Sequence, residues 1–330
     1  MKYLITGGLG FIGSNLILDL LKKGHQVLNL DKLTYAANRE VCNQIPPSQY
    51  QLLVVDLAQL DEKHPDWGKI LAFQPDYLVH LAAESAVDKS LTNNRIFFES
   101  NILGTWALLE LLKQLPVIKA VFFETDEVYG SLDLENYQID NYQYGFRESD
   151  KLDPKNPYAG SKAAAAQVTL SYQHAFGLPI CPVRPTNNFG GFQADDKLIP
   201  RAITRFLRGE KIPVYGNGIF YREWIYVTDT VSAVEKILEM GEPQKTYNIG
   251  TGERHSNIEV IENIAHLMGL SYPEVVEFIP DPRGRAHDAA YAVDSTEVRK
   301  LGWAPKIGLE KGLEMTIDFY REVGKKLPAQ

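Results

Sequence analysis

The first half of the chain alternates short, nearly continuous apolar runs with segments of helical periodicity, and this alternation restricts the fold more than any other feature. The runs with the length and composition of strands are KYLIT, QVLNLD, QLLVVD, DYLVHLAA, KAVFFET and LPICPVRP. Between them, Ile12–Lys23 and Leu103–Leu115 repeat Leu and Ile at helical spacing. Strands that are apolar on both faces are typical of parallel sheets covered by helices. We therefore predict an α/β fold with a Rossmann-type, doubly wound parallel sheet.

The second half of the chain lacks this regular alternation. Asn187–Pro200 has the composition of a loop, Arg201–Arg208 has a helical pattern, and Gly216–Gly218 marks a turn. YNIGTG (247–252) and AYAVD (290–294) are typical of short strand-and-loop pieces between helices. This half therefore predicts a smaller C-terminal α/β lobe.

We place the boundary between the two parts at Arg184. Residues 1–184 are predicted to form the Rossmann domain, and later segments, over about 225–255, are expected to return to its sheet. Residues 185–330 are predicted to form the smaller lobe. A chain of 330 residues is long enough for such a division.

Charge and cysteine content exclude several classes of function. Asp and Glu number 42 against 34 Lys and Arg, and a net charge of -8 argues against a broad nucleic-acid-binding surface. Cys42 and Cys181 are too few for a disulfide framework, and neither lies in a cluster of metal ligands, so no metal site is predicted. The first residues lack the features of a signal peptide, and no apolar run approaches the ~20 residues of a membrane span. We expect a cytoplasmic protein that does not bind a membrane.

A glycine-rich loop follows the first predicted strand directly and precedes the first helix. Gly7, Gly10 and Gly13 give the pattern G-x-x-G-x-x-G, in which the backbone turns tightly and approaches a pyrophosphate at the helix N-terminus. Asp31 ends the next strand, where a carboxylate binds the ribose hydroxyls of a dinucleotide and repels a 2′-phosphate. Asp56, at the end of QLLVVD, is positioned to meet the adenine edge. We predict a dinucleotide site that favours NAD over NADP.

Tyr158 and Lys162 lie four residues apart in a segment with strong helical propensity, NPYAGSKAAAAQ. An ammonium near a phenol favours the phenolate, so Lys162 is expected to lower the pKa of Tyr158 from ~10 towards neutrality. Such a tyrosine accepts a proton from a sugar hydroxyl while hydride leaves the same carbon. The small residues Ala163–Ala166 also permit close helix packing, including across a dimer.

The run FFETDEVYG places three carboxylates at the end of the fifth predicted strand. Ligands bind beyond the carboxyl ends of the strands in open α/β sheets, so Asp126 and Glu127 are candidates for an acid/base pair. Neighbouring residues of a regular strand point to opposite faces, so the backbone must leave the sheet here if both are to meet one substrate. A solvated acidic loop is the alternative. Glu124 is expected to have a structural or peripheral role.

Seven motifs of the chain, taken together, resemble the extended short-chain dehydrogenase/reductase family, and within it the dTDP-glucose 4,6-dehydratases. In chain order they are TGGLGFIG, HLAAESAVDKS, TDEVYG, NPYAGSK, RPTNNFGGFQADDKLIP, REWIYVTD and YNIGTG. The resemblance runs from Lys2 to about Trp303. It implies an NAD-dependent lyase that converts dTDP-glucose to dTDP-4-keto-6-deoxyglucose and water. The implied reaction oxidises C4, eliminates water across C5 and C6, and reduces C6.

The resemblance also implies the role of each catalytic residue. Tyr158 would be the active base, with Lys162 holding the nicotinamide ribose and Thr125 bonding the sugar near O4. Asp126 would protonate the departing 6-hydroxyl, and Glu127 would remove the C5 proton.

The same resemblance implies two sets of binding residues. The NAD contacts would be Gly7, Gly10, Phe11, Ile12, Gly13, Asp31, Lys32, Thr34, Asp56, Leu57, Leu81, Ala82, Ala83, Ser100, Tyr158, Lys162 and Asn188. The nucleotide-sugar contacts would be Glu84, Ser85, Thr125, Asn187, Lys197, Leu198, Ile199, Arg201, Pro213, Tyr215, Arg222, Asn257, Arg283, His287 and Tyr291. The second set would make the C-terminal lobe a nucleotide-sugar-binding lobe involved in deoxysugar biosynthesis.

This sequence departs from the family pattern at Glu124, where serine is usual, at Ser100, where threonine is common, and in a lengthened segment, 281–287. The last change bears on the nucleotide base more than on the chemistry. A UDP- or CDP-sugar dehydratase, a 4-epimerase and a non-catalytic dinucleotide-binding subunit stay open as alternatives. The family also implies a homodimer, with Leu103–Leu115 and Tyr158–Tyr172 pairing in a four-helix bundle; burial of these helices against their own sheet is the alternative.

Overall fold

A computed structural model describes residues 1–132 and 145–326. The strands of these residues are β1 (Lys2–Thr6), β2 (Gln26–Asp31), β3 (Tyr50–Val54), β4 (Tyr77–His80), β5 (Lys119–Phe123), β6 (Ile180–Pro185), β7 (Asn187–Phe189), β8 (Ile212–Tyr215), β9 (Tyr221–Tyr226), β10 (Tyr247–Ile249), β11 (Arg254–Ser256) and β12 (Val276–Ile279). The α-helices are α1 (Phe11–Lys22), α2 (Trp67–Phe73), α3 (Val87–Thr92), α4 (Arg95–Phe98), α5 (Gly104–Leu112), α6 (Pro157–Phe176), α7 (Leu198–Leu207), α8 (Val227–Met240), α9 (Asn257–Leu267), α10 (Thr296–Lys300) and α11 (Leu309–Lys326).

The described residues form a seven-stranded sheet in the order β10-β6-β5-β4-β1-β2-β3. Every neighbouring pair is parallel, and Ile5 of β1, for example, lies between Asn29 of β2 and Val79 of β4. The predicted Rossmann-type parallel sheet is therefore confirmed. The chain order reverses between β1 and β4, and an open α/β sheet binds its ligands beyond the carboxyl ends of the strands at such a point.

Helices cover both faces of this sheet because its strands are apolar on both sides. On one face the core includes Leu16 and Leu20 of α1 with Val234 of α8, and on the other it includes Leu108 and Leu112 of α5. The predicted helix at Ile12–Lys23 corresponds to α1. The one predicted at Leu103–Leu115 is shorter as α5, because a π-helical turn, Glu99–Leu103, precedes it. Within residues 1–132 and 145–326, no helix has the length and apolarity to cross a bilayer.

A second, smaller core lies in the C-terminal part of the chain. There β7 and β11 flank β9 and β12 pairs with β8, while α7, α9 and α11 pack around Phe189, Ile203 and Ile264. The loop predicted at Asn187–Pro200 was partly wrong, because β7 and the first turn of α7 lie within it. AYAVD was also predicted as a strand piece, but in the described chain it makes only isolated bridges, with Phe146 and Tyr221.

The later segments of the chain return to the main sheet. The strand β10 extends the sheet beside β6, and α8 contributes to the core on the α1 face. The cut at Arg184 and the assignment of separate roles to residues 1–184 and 185–330 stay predictions.

Candidate active site

A cavity of about 310 Å³ opens at the carboxyl ends of β1, β2, β4, β5 and β6. A second cavity, of about 300 Å³, continues from it towards β8, β9 and the segment 281–291. Glu127, Asn187 and Lys197 line both cavities, so the two form one elongated site. Every residue predicted to contact the cofactor lines the first cavity.

The glycine loop forms one wall of the first cavity. Gly7 has φ +68°, and a Cβ on this residue would fall 2.6 Å from the backbone of Ala82. A Cβ on Gly13 would fall 2.5 Å from the carbonyl oxygen of Gly7, so both positions require glycine for close packing. In the described chain, Gly10 provides no side-chain cap for α1, and the first turn of α1 has no acidic residue. An uncapped helix N-terminus beside an approachable backbone fits a pyrophosphate.

The carboxylates at the ends of β2 and β3 organise the same wall. Asp31 accepts the N–H groups of Leu9 at 2.9 Å and Leu33 at 2.8 Å, so it ties the glycine loop to the loop after β2. Asp56 accepts the N–H of Ala58 at 3.0 Å. Both residues line the cavity, at the end where acidic groups bind ribose and adenine in dinucleotide sites.

The acidic run begins where β5 ends. Thr125 has an extended backbone, and its hydroxyl accepts the N–H of Glu127 at 3.4 Å, so it caps a 3-10 turn, Asp126–Tyr129. The backbone has therefore left the sheet, as predicted, and the carboxyls of Asp126 and Glu127 both line the first cavity. The alternative of a solvated acidic loop was wrong, since the side chain of Asp126 is only 3% exposed.

The two carboxyls have different surroundings. Burial raises the pKa of Asp126 well above its ordinary value, and the charges of Glu127 and Glu223 raise it further. Its Oδ2 is buried and has no hydrogen-bond partner among the described residues. Asp126 is therefore suited to hold a proton near neutral pH and to give it up as a general acid.

Burial also raises the pKa of Glu127, but several groups oppose this effect. The amide of Asn156 donates to its Oε2 at 3.2 Å, and the positive charges of Arg222, Lys197 and Arg283 favour the ionised form. Glu127 is therefore suited to act as a general base. The two neighbours are thus suited to work as an acid/base pair.

Tyr158 and Lys162 lie on one face of α6 and both line the first cavity. The prediction that Lys162 lowers the pKa of Tyr158 was wrong for this structure. Burial raises the pKa of the phenol, and the charges of Glu127 and Asp126 add to that effect. The ammonium of Lys162 donates to the carbonyl oxygen of Phe123 at 2.5 Å, and burial lowers its pKa to about 8.

Cations and aromatic rings line the second cavity. Arg222 donates to the carbonyl oxygens of Tyr221 and Asp288 and lies over the ring of Tyr291, 4.4 Å from its centroid. Arg283 pairs with Asp88 across the cavity mouth, with Nε 2.5 Å from Oδ1. A cavity lined by guanidinium groups is suited to phosphate oxygens.

His287 lies in the same cavity and is almost fully buried. Its ring stacks on Phe220 with centroids 3.6 Å apart, and its Nδ1 is 2.8 Å from Asp281. Burial lowers the pKa of His287 to about 4, so the imidazole is neutral near pH 7. The histidine therefore contributes a flat ring and a neutral polar atom rather than a charge.

The structure does not bring all of the predicted residues to the cavities. The side chain of Ile199 is 1% exposed and belongs to the core of the smaller lobe, because the amphipathic α7 turns this position inward. The carboxylate of Glu84 lies outside both cavities and 3.3 Å from the ammonium of Lys32. The predicted substrate contacts of these two side chains are therefore corrected: Ile199 packs in the core, and Glu84 forms an ion pair with Lys32. The other predicted substrate residues line one or both cavities.

Sequence reasoning missed residues that the fold brings in. Asp88 pairs with Arg283, and Asn156 donates to Glu127. Asn156 could have been found as the helix-capping residue before Pro157, since Asn followed by Pro is a typical start of a helix. The role of Asp88 has no local signal, because its partner is 195 residues away.

Glu124 forms a buried ion pair behind the acidic turn. Its Oε2 accepts from Nε of Arg184 at 2.6 Å, and the two side chains are 6% and 9% exposed. Arg184 also donates to the hydroxyl of Tyr129 at 2.7 Å, and that hydroxyl bonds Oδ1 of Asn248 at 2.8 Å. Through Arg184 and Tyr129, Glu124 helps to attach the turn that carries Asp126 and Glu127 to the strands β6 and β10.

Comparisons with known proteins identify the family of the chain. A family model described as GDP-mannose 4,6 dehydratase matches residues 4–316. The chain is 38% identical to the low-salt glycan biosynthesis protein Agl12 of Haloferax volcanii, over 97% of this chain and 98% of that protein. It is 35% identical to a dTDP-glucose 4,6-dehydratase of Haemophilus influenzae, again over 97% and 98%. The crystal structure of DesIV, a dTDP-glucose 4,6-dehydratase of Streptomyces venezuelae solved with NAD bound, superposes with a TM-score of 0.87 at 34% identity, covering 98% of this chain and 97% of that one.

Proposed function

Because this chain belongs to the extended short-chain dehydrogenase/reductase family, in its nucleotide-sugar 4,6-dehydratase branch, we propose that it converts dTDP-glucose to dTDP-4-keto-6-deoxyglucose and water. The enzyme is a hydro-lyase, because the reaction eliminates water and involves no net oxidation. The observation that carries the proposal is a pair of neighbouring carboxyls after β5, the buried Asp126 and the half-buried Glu127, which line the same cavity as Tyr158. A simple epimerase has no step that needs both an acid and a base at this position.

The cofactor is NAD, and the residues of the first cavity fit it. The glycine loop and the uncapped start of α1 would hold the pyrophosphate, and Asp31 and Asp56 would face the ribose and adenine. When bound, NAD+ supplies the hydride acceptor for C4 and later the hydride donor for C6. Lys162 would bind the nicotinamide ribose.

The chain's own residues move the protons. Tyr158 takes the proton of the 4-hydroxyl, and Thr125 bonds O4 and orients the sugar. The 4-ketone acidifies the C5–H bond, whose proton passes to Glu127. Asp126 gives its proton to the 6-hydroxyl, so that the C6–O bond breaks and water leaves. The low exposure of Asp126 keeps bulk water away from its carboxyl.

The second cavity would hold the nucleoside diphosphate, so that residues 1–184 bind the cofactor and residues 185–330 most of the nucleotide sugar. Arg222 and Arg283 would bind the phosphate oxygens, with Lys197 between the two cavities. The relatives named above support dTDP as the nucleotide. A cytoplasmic location stays a prediction from the sequence.

The reaction can be tested by mass spectrometry of the product formed in heavy water. We expect a product that is lighter than dTDP-glucose by one water and carries one solvent deuterium at C5. A product with unchanged mass and galactose stereochemistry would identify an epimerase instead. Running UDP-, CDP- and GDP-glucose beside dTDP-glucose identifies the nucleotide, and faster turnover of any of these three would contradict dTDP.

Asp88 is expected to affect the binding of the diphosphate rather than the chemistry. It holds Nε of Arg283, and the hydroxyl of Tyr215 lies 3.5 Å from its other oxygen, so it fixes the direction of the guanidinium fork. We expect Asp88→Asn to raise KM for dTDP-glucose about 10-fold with kcat unchanged, since one hydrogen-bonded charge is lost. Steady-state kinetics and calorimetry with dTDP measure both effects, with the exposed Asp61→Asn as a control. Tighter binding by the variant would mean that Asp88 competes with the phosphate instead.

The enzyme is also proposed to be a homodimer. Phe98, Leu103 and Trp106 on the α4–α5 segment and Leu170 on α6 are large apolar side chains that are 40–48% exposed on two adjacent helices. A contiguous apolar face of this kind is typical of an interface between two copies. This supports the four-helix bundle that the resemblance implies.

The dimer is tested by placing a charge on this face. We expect Trp106→Glu to convert the protein from dimer to monomer, as measured by light scattering, because a buried carboxylate without a partner destabilises the interface. Phe278→Glu, at an exposed site on β12, is the matched control and should leave the mass unchanged. A wild-type protein that is monomeric at micromolar concentration would contradict the proposal.

A further inference from the structure

Asn156 uses both ends of its amide at the start of α6. The residue is buried, and its Oδ1 accepts the N–H of Ala159 at 2.9 Å, which caps the helix. Its Nδ2 lies 3.2 Å from Oε2 of Glu127. Because the oxygen already bonds a backbone donor, the NH₂ group must be the end that faces the carboxylate. The orientation of the amide is therefore fixed by the helix cap.

The amide adds a directed bond to a carboxylate with many charged neighbours. The carboxyl of Asp126 adjoins it on the same turn, and the cations that act on it are Lys197 before α7, Arg222 of β9 and Arg283 of the segment after β12. Two phenols also interact with its charge: Tyr158 of α6 and Tyr291, which follows Ala290, both have their pKa raised by Glu127. Within residues 1–132 and 145–326, Asn156 is the side chain that makes a hydrogen bond to this carboxylate.

Asp126 has a different environment. Its Oδ2 is buried without a partner among the described residues, while its Oδ1 lies 3.2 Å from the hydroxyl of Thr125. Asp126 thus receives one hydrogen bond, from the hydroxyl of Thr125, whereas Glu127 receives the amide of Asn156 and lies near three cations. These surroundings separate the acidities of the two carboxyls, because hydrogen bonds and positive charges favour the ionised form.

We propose that Asn156 is a positioning residue that holds Glu127 as the ionised base and thereby decides which member of the acidic pair takes the C5 proton. The inference rests on the proposed function. Asn156 lies two residues before Tyr158, so the cap also sets the distance between the helix that provides the first base and the turn that provides the second. One side chain thus links the two proton-transfer groups of the reaction.

The test uses two variants that keep the helix cap. Ser and Asp cap a helix as well as Asn does, so α6 should form in both variants. Asn156→Ser should leave Tm unchanged, whereas the buried charge of Asn156→Asp should lower it. Asn156→Ser removes only the amide donor, and Asn156→Asp replaces the donor by a negative charge that faces Glu127. The pH dependence of kcat/KM for dTDP-glucose measures the result, because its acidic limb reports the protonation of the essential base.

A base with a raised pKa is protonated up to a higher pH, so the acidic limb should move upward. We expect a shift of about 1 pH unit for Asn156→Ser and about 2 pH units for Asn156→Asp, with the activity of the serine variant largely recovered above its shifted limb. An acidic limb that stays in place in both variants, each folded at the temperature of the assay, would overturn the proposal. So would a loss of activity that is equal at every pH.

A second measurement separates this inference from the proposed function. Infrared difference spectra during an acid titration follow the carboxylate band of Glu127, which is identified by its loss in Glu127→Gln. If no nucleotide sugar is turned over by the wild-type protein, the proposed function fails, yet the band should still titrate at higher pH in both Asn156 variants. If turnover is normal and the band titrates as in the wild type, the inference about Asn156 fails alone.

Discussion

Tyr158→Phe is expected to lower kcat for dTDP-glucose about 10³-fold, because the variant keeps the ring and its packing but has no group to accept the proton of the 4-hydroxyl. Tyr158 lines the first cavity together with Thr125 and the acidic pair, and its burial excludes water as a substitute base. The affinity for dTDP should be unchanged, since the nucleotide lies in the second cavity. Steady-state kinetics and calorimetry give the two values.

Two variants distinguish the loss of this base from a general disturbance. Tyr77→Phe makes the same change at the amino end of β4, opposite to the site, and should leave kcat unchanged. Asp126→Asn should also be slow, but at a later step, so that reduced nicotinamide accumulates on adding substrate and is seen by its near-ultraviolet absorbance. Tyr158→Phe should produce no such signal. Accumulation in Tyr158→Phe would mean that another group takes the first proton.

Glu124→Gln is expected to destabilise the protein by about 3 kcal/mol, because it leaves the guanidinium of Arg184 buried beside a neutral partner. Glutamine keeps the size of the side chain, so the loss is electrostatic and not a cavity effect. For a chain of this length, the change should lower Tm by roughly 4 °C, as measured by thermal unfolding. The acidic turn should loosen as well, since Arg184 also bonds Tyr129 of that turn.

The double variant Glu124→Leu with Arg184→Met is the control. It removes both charges and fills the same space with apolar groups, and such replacements of buried ion pairs are often close to neutral. It should therefore be more stable than Glu124→Gln. Equal destabilisation by the single and double variants would show that packing around the pair, and not its charge, supports the turn. On an exposed ion pair such as Lys69 with Asp66, the same neutralisation should cost less than 1 kcal/mol.

Much of the site was predictable because it is encoded locally. The glycine spacing at Gly7, Gly10 and Gly13 dictates a close approach of the backbone wherever the loop is placed. The carboxylates after KAVFFET had to lie at the edge where parallel strands end, since every strand of such a sheet ends on the same side. The four-residue spacing of Tyr158 and Lys162 places them on one helical face.

The predictions that were wrong, or that missed a contact, depended on burial and on residues distant in the sequence. The expected effect of Lys162 on Tyr158 considered two residues on one helix, whereas burial and the acidic turn decide the pKa of the phenol. Ile199 was assigned to the substrate because it lies in a matching motif, but the apolar face of α7 points it into the core. The lengthened segment 281–287 gave no hint that His287 would stack on Phe220.

The sequence by itself determined the alternation of strands and helices, the dinucleotide loop and the positions of the candidate acidic pair and tyrosine, because periodicity and spacing act over a few residues. Only the tertiary structure showed which carboxyl receives the amide of Asn156 and what Glu124 contacts. Glu127 receives its hydrogen bond from Asn156, 29 residues away, and Glu124 meets Arg184 at a separation of 60 residues. Burial and Coulomb interactions depend on distance in space, and the fold alone brings such residues together.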